Sequence, residues 1–174
     1  MAHEFIMGVS ELESLRYANR FALYKWAEVY KGNLGIALTD TYGTAAFFKD
    51  FDLTLSKLFD GVRHDSGCPF KFTDNVINHY KKLGITPDTK TIVFSDGLDL
   101  DLAYKINAYC LNKIRCSFGI GTHFTNDFPN SKATNIVIKL NSINNIPVVK
   151  LSDIDVKNTG DVKALEYAKY VFNI

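Results

Sequence analysis

The sequence predicts an α/β fold built on parallel strands and finished by a C-terminal β-hairpin and helix. Short β-prone runs alternate with helical stretches through the middle of the chain. Three of these units carry a polar, glycine-bearing turn: Arg63-His64-Asp65-Ser66-Gly67, Ser95-Asp96-Gly97 and Ser117-Phe118-Gly119-Ile120-Gly121-Thr122. The tail differs, with two apolar runs flanking Asn144-Asn145. Alternation of strand, turn and helix is the pattern of a parallel sheet, whose ligands gather at the C-terminal strand ends.

The elements follow in order. Residues 11–30 repeat apolar and aromatic side chains at helical spacing (Leu12, Leu15, Tyr17, Phe21, Tyr24, Trp26), with Gly32 as the stop. Residues 34–38 form a short strand ending at Thr39-Asp40-Thr41, and 44–50 the helix after it. A second short helix over 53–59 leads into the Arg63–Gly67 motif. Thr73 or Asp74 can cap a helix that runs to Leu83 and closes at Gly84. Pro87 marks a turn, 91–94 a strand, 98–110 a helix and 114–118 another strand. Residues 135–140 and 147–151 read as a hairpin, and 161–172 as a closing amphipathic helix. About four parallel strands are too few to close a barrel, and an open parallel sheet leaves bare edges. The chain is therefore expected to be part of something larger.

Composition narrows the function classes. A chain of 174 residues with 47% apolar content holds one ordinary core. A net charge of +1, with scattered Lys and Arg, argues against a nucleic-acid binder. Cys68, Cys110 and Cys116 share no metal-ligand spacing and cannot all pair, so they read as reduced thiols and no metal ligands are assigned. No apolar run is long enough to span a bilayer and no signal peptide is visible, which makes a cytoplasmic protein without membrane contact the expectation.

Each candidate site residue has a plain structural reading beside the chemical one. Glycines at Gly119 and Gly121 let backbone N–H groups approach phosphate oxygens and Thr122 adds a hydroxyl, although a Gly-x-Gly is also a simple tight turn. Asp96 can accept from a ribose diol or face a cationic sugar; it can also cap a helix, the reading preferred for Asp99 and Asp101. Asp40 ends its strand in the same way, or lies in a solvated turn. Arg63 offers a fork for phosphate or carboxylate, and Asp65 can position a ribose hydroxyl or hold a metal through water. His64 reads first as a packed, hydrogen-bonded imidazole, His79 as structural or exposed, His123 as an ordinary residue more readily than as a support for the glycine loop, and His3 by itself as an inert terminal histidine.

Taken together, these motifs resemble nicotinate phosphoribosyltransferase. The matching runs are Leu34-Gly35-Ile36-Ala37-Leu38-Thr39-Asp40, Arg63-His64-Asp65-Ser66-Gly67, Ile92-Val93-Phe94-Ser95-Asp96-Gly97-Leu98-Asp99, Ser117-Phe118-Gly119-Ile120-Gly121-Thr122, Thr125-Asn126-Asp127 and Asn135-Ile136-Val137-Ile138-Lys139-Leu140. Each is weak singly; in this order and spacing they are specific. Ala2-His3-Glu4 also matches, and in that family the run carries a histidine phosphorylated by ATP, which reverses the inert reading of His3.

The resemblance implies an irregular α/β barrel of the type II phosphoribosyltransferases, of which residues 1–174 would be one partial-barrel domain lacking the family's N-terminal part. It implies joining of nicotinate to phosphoribosyl pyrophosphate, coupled to ATP hydrolysis, with Mg²⁺ and a homodimer whose subunits share the active site. His3 would accept the γ-phosphate, with Asp40 fixing its tautomer. Asp40, Asp65 and Asp96 would face the ribose as positive charge develops. Arg63 would meet phosphate or pyrophosphate, Gly97 would lie beside Asp96 in the substrate wall, and Gly119, Gly121 and Thr122 would cradle the 5′-phosphate. Cys68 departs from the acidic residue common after the Ser-Gly pair. The alternatives are a catalytically silent, phosphate-binding or subunit-pairing fragment of such an enzyme, and a nicotinamide phosphoribosyltransferase; the latter is disfavoured because that relative has Pro where this chain has His64.

Overall fold

The computed structural model describes residues 2–134 and 136–174. Four parallel strands form one sheet in the order β1 (Ile36–Leu38), β2 (Gly61–His64), β3 (Thr91–Phe94) and β4 (Arg115–Phe118). The pairing is in step, with Ala37, Val62, Ile92 and Cys116 in one row and Leu38, Arg63, Val93 and Ser117 in the next. Successive rows face opposite sides of a sheet. The first row, joined by Phe94, packs on helices α3 (Thr44–Asp50), α4 (Leu53–Leu58), α5 (Pro69–Lys82) and α6 (Leu100–Cys110). The main core is therefore a single layer of helices on one face, built from Phe47, Phe51, Leu55, Phe72, Val76, Tyr80 and Ile106. Arg63 and Val93, in the opposite row, remain partly exposed, and Ser117 is exposed.

Local chemistry explains the helix boundaries. Asp52, Asp99 and Asp161 cap α4, α6 and α8 (Val162–Phe172), each accepting from the amide three residues on, at 3.0, 2.7 and 3.1 Å. Asp99 thus follows the capping reading. Helix α5 starts at Pro69, one turn before the expected Thr73 or Asp74, because proline suits the first helical position. Thr73 instead sits inside the helix and donates to the Pro69 carbonyl at 2.8 Å.

Two expectations change. The helix expected over 11–30 is shorter, α2 spanning Ala18–Tyr30 after a turn and a 3₁₀ segment at Leu15–Tyr17, and a separate helix that was not expected, α1, spans Ala2–Val9. The hairpin shrinks to Ser142–Ile143 (β5) and Ile146–Pro147 (β6), still turning at Asn144-Asn145, both at positive φ. Asn135 lies outside the described residues, and residues 136–140 form no strand. Gly121 and Thr122, expected to lie in a phosphate-binding loop, open the one-turn helix α7 (Thr122–Thr125), which the sequence reading did not anticipate.

A second apolar cluster places the site. Ile6 and Val9 of α1, Ala18 and Ala22 of α2, Tyr42, Val149, Leu151 and Phe172 of α8 pack together. This cluster lays α1 across the end of β1 and draws residues 148–151 in beside it. Leu151 N–H donates to Thr41 O at 2.8 Å, and Leu151 bridges Tyr42 in the parallel sense.

Candidate active site

The polar residues after β1, β2 and β3 meet at one edge of the sheet. Backbone and side-chain bonds carry the pairing past the strands: Thr39 Oγ1 donates to Arg63 O at 3.0 Å, and Ser95 N–H to His64 O at 3.1 Å. This fixes the relative positions of Asp40, Asp65 and Asp96.

His3, in the first turn of α1, is buried at this edge. Its Nε2 lies 3.1 Å from Asp65 Oδ2 and 3.6 Å from Asp40 Oδ1, and its Nδ1 lies 2.9 Å from Thr41 Oγ1. The hydrogen-bond partner of Nε2 is thus Asp65, whereas the sequence reading gave that task to Asp40. Burial would raise the Asp65 carboxyl, but the hydrogen bond with His3 and the Arg63 guanidinium outweigh it and hold Asp65 well below the usual carboxylate range. An ionised Asp65 can only accept, so Nε2 of a neutral His3 carries the proton and Nδ1 keeps its lone pair, to which Thr41 can donate.

Each carboxylate beside His3 has its own cation. Arg63 Nη2 bonds Asp65 Oδ1 at 2.7 Å, while its Nε donates to Ser95 Oγ at 2.8 Å. Lys150 Nζ lies 3.2 Å from Asp40 Oδ2, which also accepts from Ser66 Oγ at 2.6 Å and Ser152 Oγ at 3.1 Å. Ligand atoms of His3, Asp40 and Asp65 lie within 4.8 Å of one another. With both carboxylates already matched by buried or half-buried cations, this set does not fit a resident Mg²⁺, which favours uncompensated oxygen ligands.

Asp96 follows β3 and takes an ion pair from Lys157, whose ammonium also donates to Asp65 O at 2.9 Å. Gly97 turns the chain at φ +57 directly after it. Gly119 N–H donates to Phe94 O at 2.8 Å, which sets Gly119 against Ser95. The structure therefore joins His3, Asp40, Asp65, Arg63 and Asp96 in one bonded network and places Gly119 at its border; Gly121 and Thr122 follow at the end of β4 and make no bond to that network among the described residues. His64 points into the helix-side core between Phe72 and Phe94, and burial holds its imidazole below the ordinary histidine value. His123 pairs with Asp127 at the surface, at 3.2 Å. The three cysteines are free; Cys68 stands exposed at the N-cap of α5 without capping it.

Sequence reasoning missed the segment 150–158 altogether as part of the site. Lys150, Ser152 and Lys157 enter the network above, and Asp153 accepts from both the amide and the hydroxyl of Thr44. A signal was available: the run 146–151, apolar except for Lys150, ends in Ser152-Asp153, as the run 91–94 ends in Ser95-Asp96.

Across residues 1–174 the chain matches the family model described as Nicotinate phosphoribosyltransferase (NAPRTase) family. It is 60% identical over 174 residues to the nicotinate phosphoribosyltransferase of Methanosarcina acetivorans, covering 98% of this chain and 43% of that protein. A nicotinate phosphoribosyltransferase of Pseudomonas aeruginosa, numbered 2, is 49% identical, with 100% and 44% covered. The fold matches the crystal structures of nicotinate phosphoribosyltransferases from Vibrio cholerae, with a TM-score of 0.96 at 43% identity, 99% of this chain and 43% of that one, and from Porphyromonas gingivalis, with a TM-score of 0.94 at 37% identity, 99% and 46%. The chain thus spans less than half the length of these relatives. A parallel α/β sheet with its polar strand ends gathered around a buried histidine, matched over its whole length by that family model, makes this chain a member of the nicotinate phosphoribosyltransferase family.

Proposed function

We propose that the chain carries the phosphohistidine-bearing part of a nicotinate phosphoribosyltransferase. That enzyme would join nicotinate to phosphoribosyl pyrophosphate, giving nicotinate mononucleotide and pyrophosphate, and would couple this to ATP hydrolysis. The observation that carries the reading is His3: a buried imidazole with a carboxylate on Nε2 and a hydroxyl on Nδ1, at the ligand edge of a parallel sheet. Such a ring keeps a lone pair on Nδ1 and can attack the γ-phosphorus of ATP; a P–N bond forms as the bond to the ADP oxygen breaks.

The other residues divide the work. Asp65, Asp40 and Asp96 set negative charge where the ribose C1 would gain positive character as pyrophosphate leaves. Arg63 keeps part of its guanidinium in solvent while bonded to Asp65 and Ser95, and can meet phosphate oxygens. Gly97 lets the chain turn beside Asp96, and Gly119, Gly121 and Thr122 would receive the 5′-phosphate. Mg²⁺ would arrive with the polyphosphates and offset their charge. The unbroken order β1-β2-β3-β4 with its helices on one face suits a section of an irregular barrel wall, with residues 1–174 as one domain of it. Pairing as a homodimer and a cytoplasmic setting belong to the same reading; among the described residues no helix is long and apolar enough to cross a membrane.

The test is phosphate transfer from γ-labelled ATP with Mg²⁺, read by mass spectrometry. Acid-labile label on His3, lost in His3→Ala, is expected. Label retained in His3→Ala, or none in the native chain, would overturn the role of His3.

A further inference from the structure

Lys150 is 3% exposed and Asp40 is 1% exposed, so their ion pair lies fully inside the protein. A buried ion pair is weak evidence for stability, because well-packed apolar side chains often serve as well. Its geometry suggests another use. The Lys150 ammonium, the Ser66 hydroxyl and the Ser152 hydroxyl all converge on one oxygen of Asp40, Oδ2, at 3.2, 2.6 and 3.1 Å. The other oxygen, Oδ1, is buried and has no hydrogen-bond partner among the described residues. It stands 3.6 Å from His3 Nε2.

The backbone leaves Lys150 little freedom. Its N–H and C=O both bond Thr159, at 2.9 and 3.1 Å, and the next amide, Leu151, bonds Thr41 O at 2.8 Å. The segment is therefore registered against Asp40-Thr41, the two residues that lie beside the two nitrogens of His3.

We propose that Lys150 is a positioning residue for His3. With Ser66 and Ser152 it locks Oδ2 of Asp40, which turns the bare Oδ1 toward Nε2. In the resting state Nε2–H is held by Asp65. When Nδ1 takes a phosphoryl group from ATP and ADP departs, Nε2 keeps its proton and the ring becomes cationic. Oδ1 then supplies a second anionic acceptor at short range, without any movement of Asp40. This use of the bare oxygen rests on the reading of His3 as phosphoryl acceptor; the locking of Asp40 does not.

Two measurements on the full chain separate these claims. Long-range ¹H–¹⁵N spectra of the His3 ring report its tautomer; the native chain is expected to show Nε2 protonated and Nδ1 bare. Lys150→Met, which keeps length and removes charge, is expected to replace that single tautomer by averaged ring signals. Ser152→Ala, which removes one donor from the same oxygen and leaves the ion pair, is expected to shift the ring signals less. The second measurement is the rate of phosphate transfer from ATP to His3, expected to fall about 10- to 100-fold in Lys150→Met, with the half-saturating ATP concentration changed by less than about threefold. A folded Lys150→Met with native ring signals overturns the proposal. If Lys150→Met does not fold, Ser152→Ala decides: unchanged His3 signals overturn the proposal and shifted ones support it. If the native His3 accepts no phosphate, the reading of His3 fails while the ring spectra still judge Lys150.

Discussion

His64 and His79 make the stability of this fold sensitive to acid, although neither bonds His3. His64 is packed against Phe72 and Phe94; His79 rests on Phe48 and Phe51, with Nε2 2.9 Å from Phe51 O. Burial holds both imidazoles below the ordinary histidine value. An unfolded histidine titrates near about 6.5, so the unfolded chain binds more protons below that point. Their contribution is complete above about pH 7 and is lost as pH falls through about 6.5 toward the folded values. Thermal midpoints are expected to hold steady from pH 8 to 7 and to drop by pH 5. His79→Gln, whose amide can still donate to Phe51 O, should flatten that slope; an unchanged slope would remove His79 from the account. Asp65 acts further into acid, because its depressed carboxyl contributes above the unfolded value near about 4 and loses that contribution as pH falls through the folded one. At this scale the sequence was informative about types and silent about partners. Arg63, Asp65 and Asp96 stand out because ionisable residues are rare at strand ends of a buried sheet. His3 stands out only through the resemblance carried by Ala2-His3-Glu4, since nothing in its neighbours shows that Asp65, 62 residues away, will bond it.

Among the elements, residues 148–160 depend on one backbone conformation. Gly160 lies at φ +128, and a Cβ there would stand 2.6 Å from Val149 Cγ1 and 2.9 Å from Val148 O. Side chains rarely adopt that φ, and the neighbouring atoms belong to the buried run that carries Lys150. Gly160→Ala is expected to cost about 1–3 kcal/mol, seen in the denaturant midpoint. It should also speed exchange of the Leu151 amide, which bonds Thr41 O; native protection at Leu151 would refute the link between this glycine and the site. The legibility of elements follows how local their causes are. Helices α3, α4, α6 and α8 were readable from periodicity, and α6 also from its acidic cap Asp99. The separate helix α1 and the late start of α2 at Ala18 were not, because α1 and α2 pack against each other and on Tyr42, Val149 and Phe172, which lie far along the chain. Residues 136–140 failed as a strand for a related reason. Ile136, Val137 and Ile138 have the right composition, but they are exposed and lie in no ladder among the described residues, and a strand exists only with a pairing partner.

For the whole molecule, the two faces of the sheet make different demands. The Val62–Ile92 face is closed by helices, whereas Arg63 and Val93 on the other are half-exposed and Ser117 is open. The chain also spans 43% of the length of its Methanosarcina relative. These facts separate two parts of the proposed reaction. Phosphate transfer to His3 draws on Asp65, Asp40, Thr41 and Lys150, all bonded within this chain. Glycosyl transfer needs nicotinate, the ribose and the leaving pyrophosphate held together with water excluded, and effective concentrations of that kind arise only when reactants are enclosed in one geometry. A sheet open on its Arg63 side holds one wall of such an enclosure. The chain alone is therefore expected to place label from ATP on His3 and yet to form nicotinate mononucleotide at no more than background when given nicotinate, phosphoribosyl pyrophosphate, ATP and Mg²⁺. Chromatography of the mixture decides it. Robust mononucleotide formation would show that the groups around His3, Arg63 and Asp96 suffice by themselves, and that the open face needs no second wall.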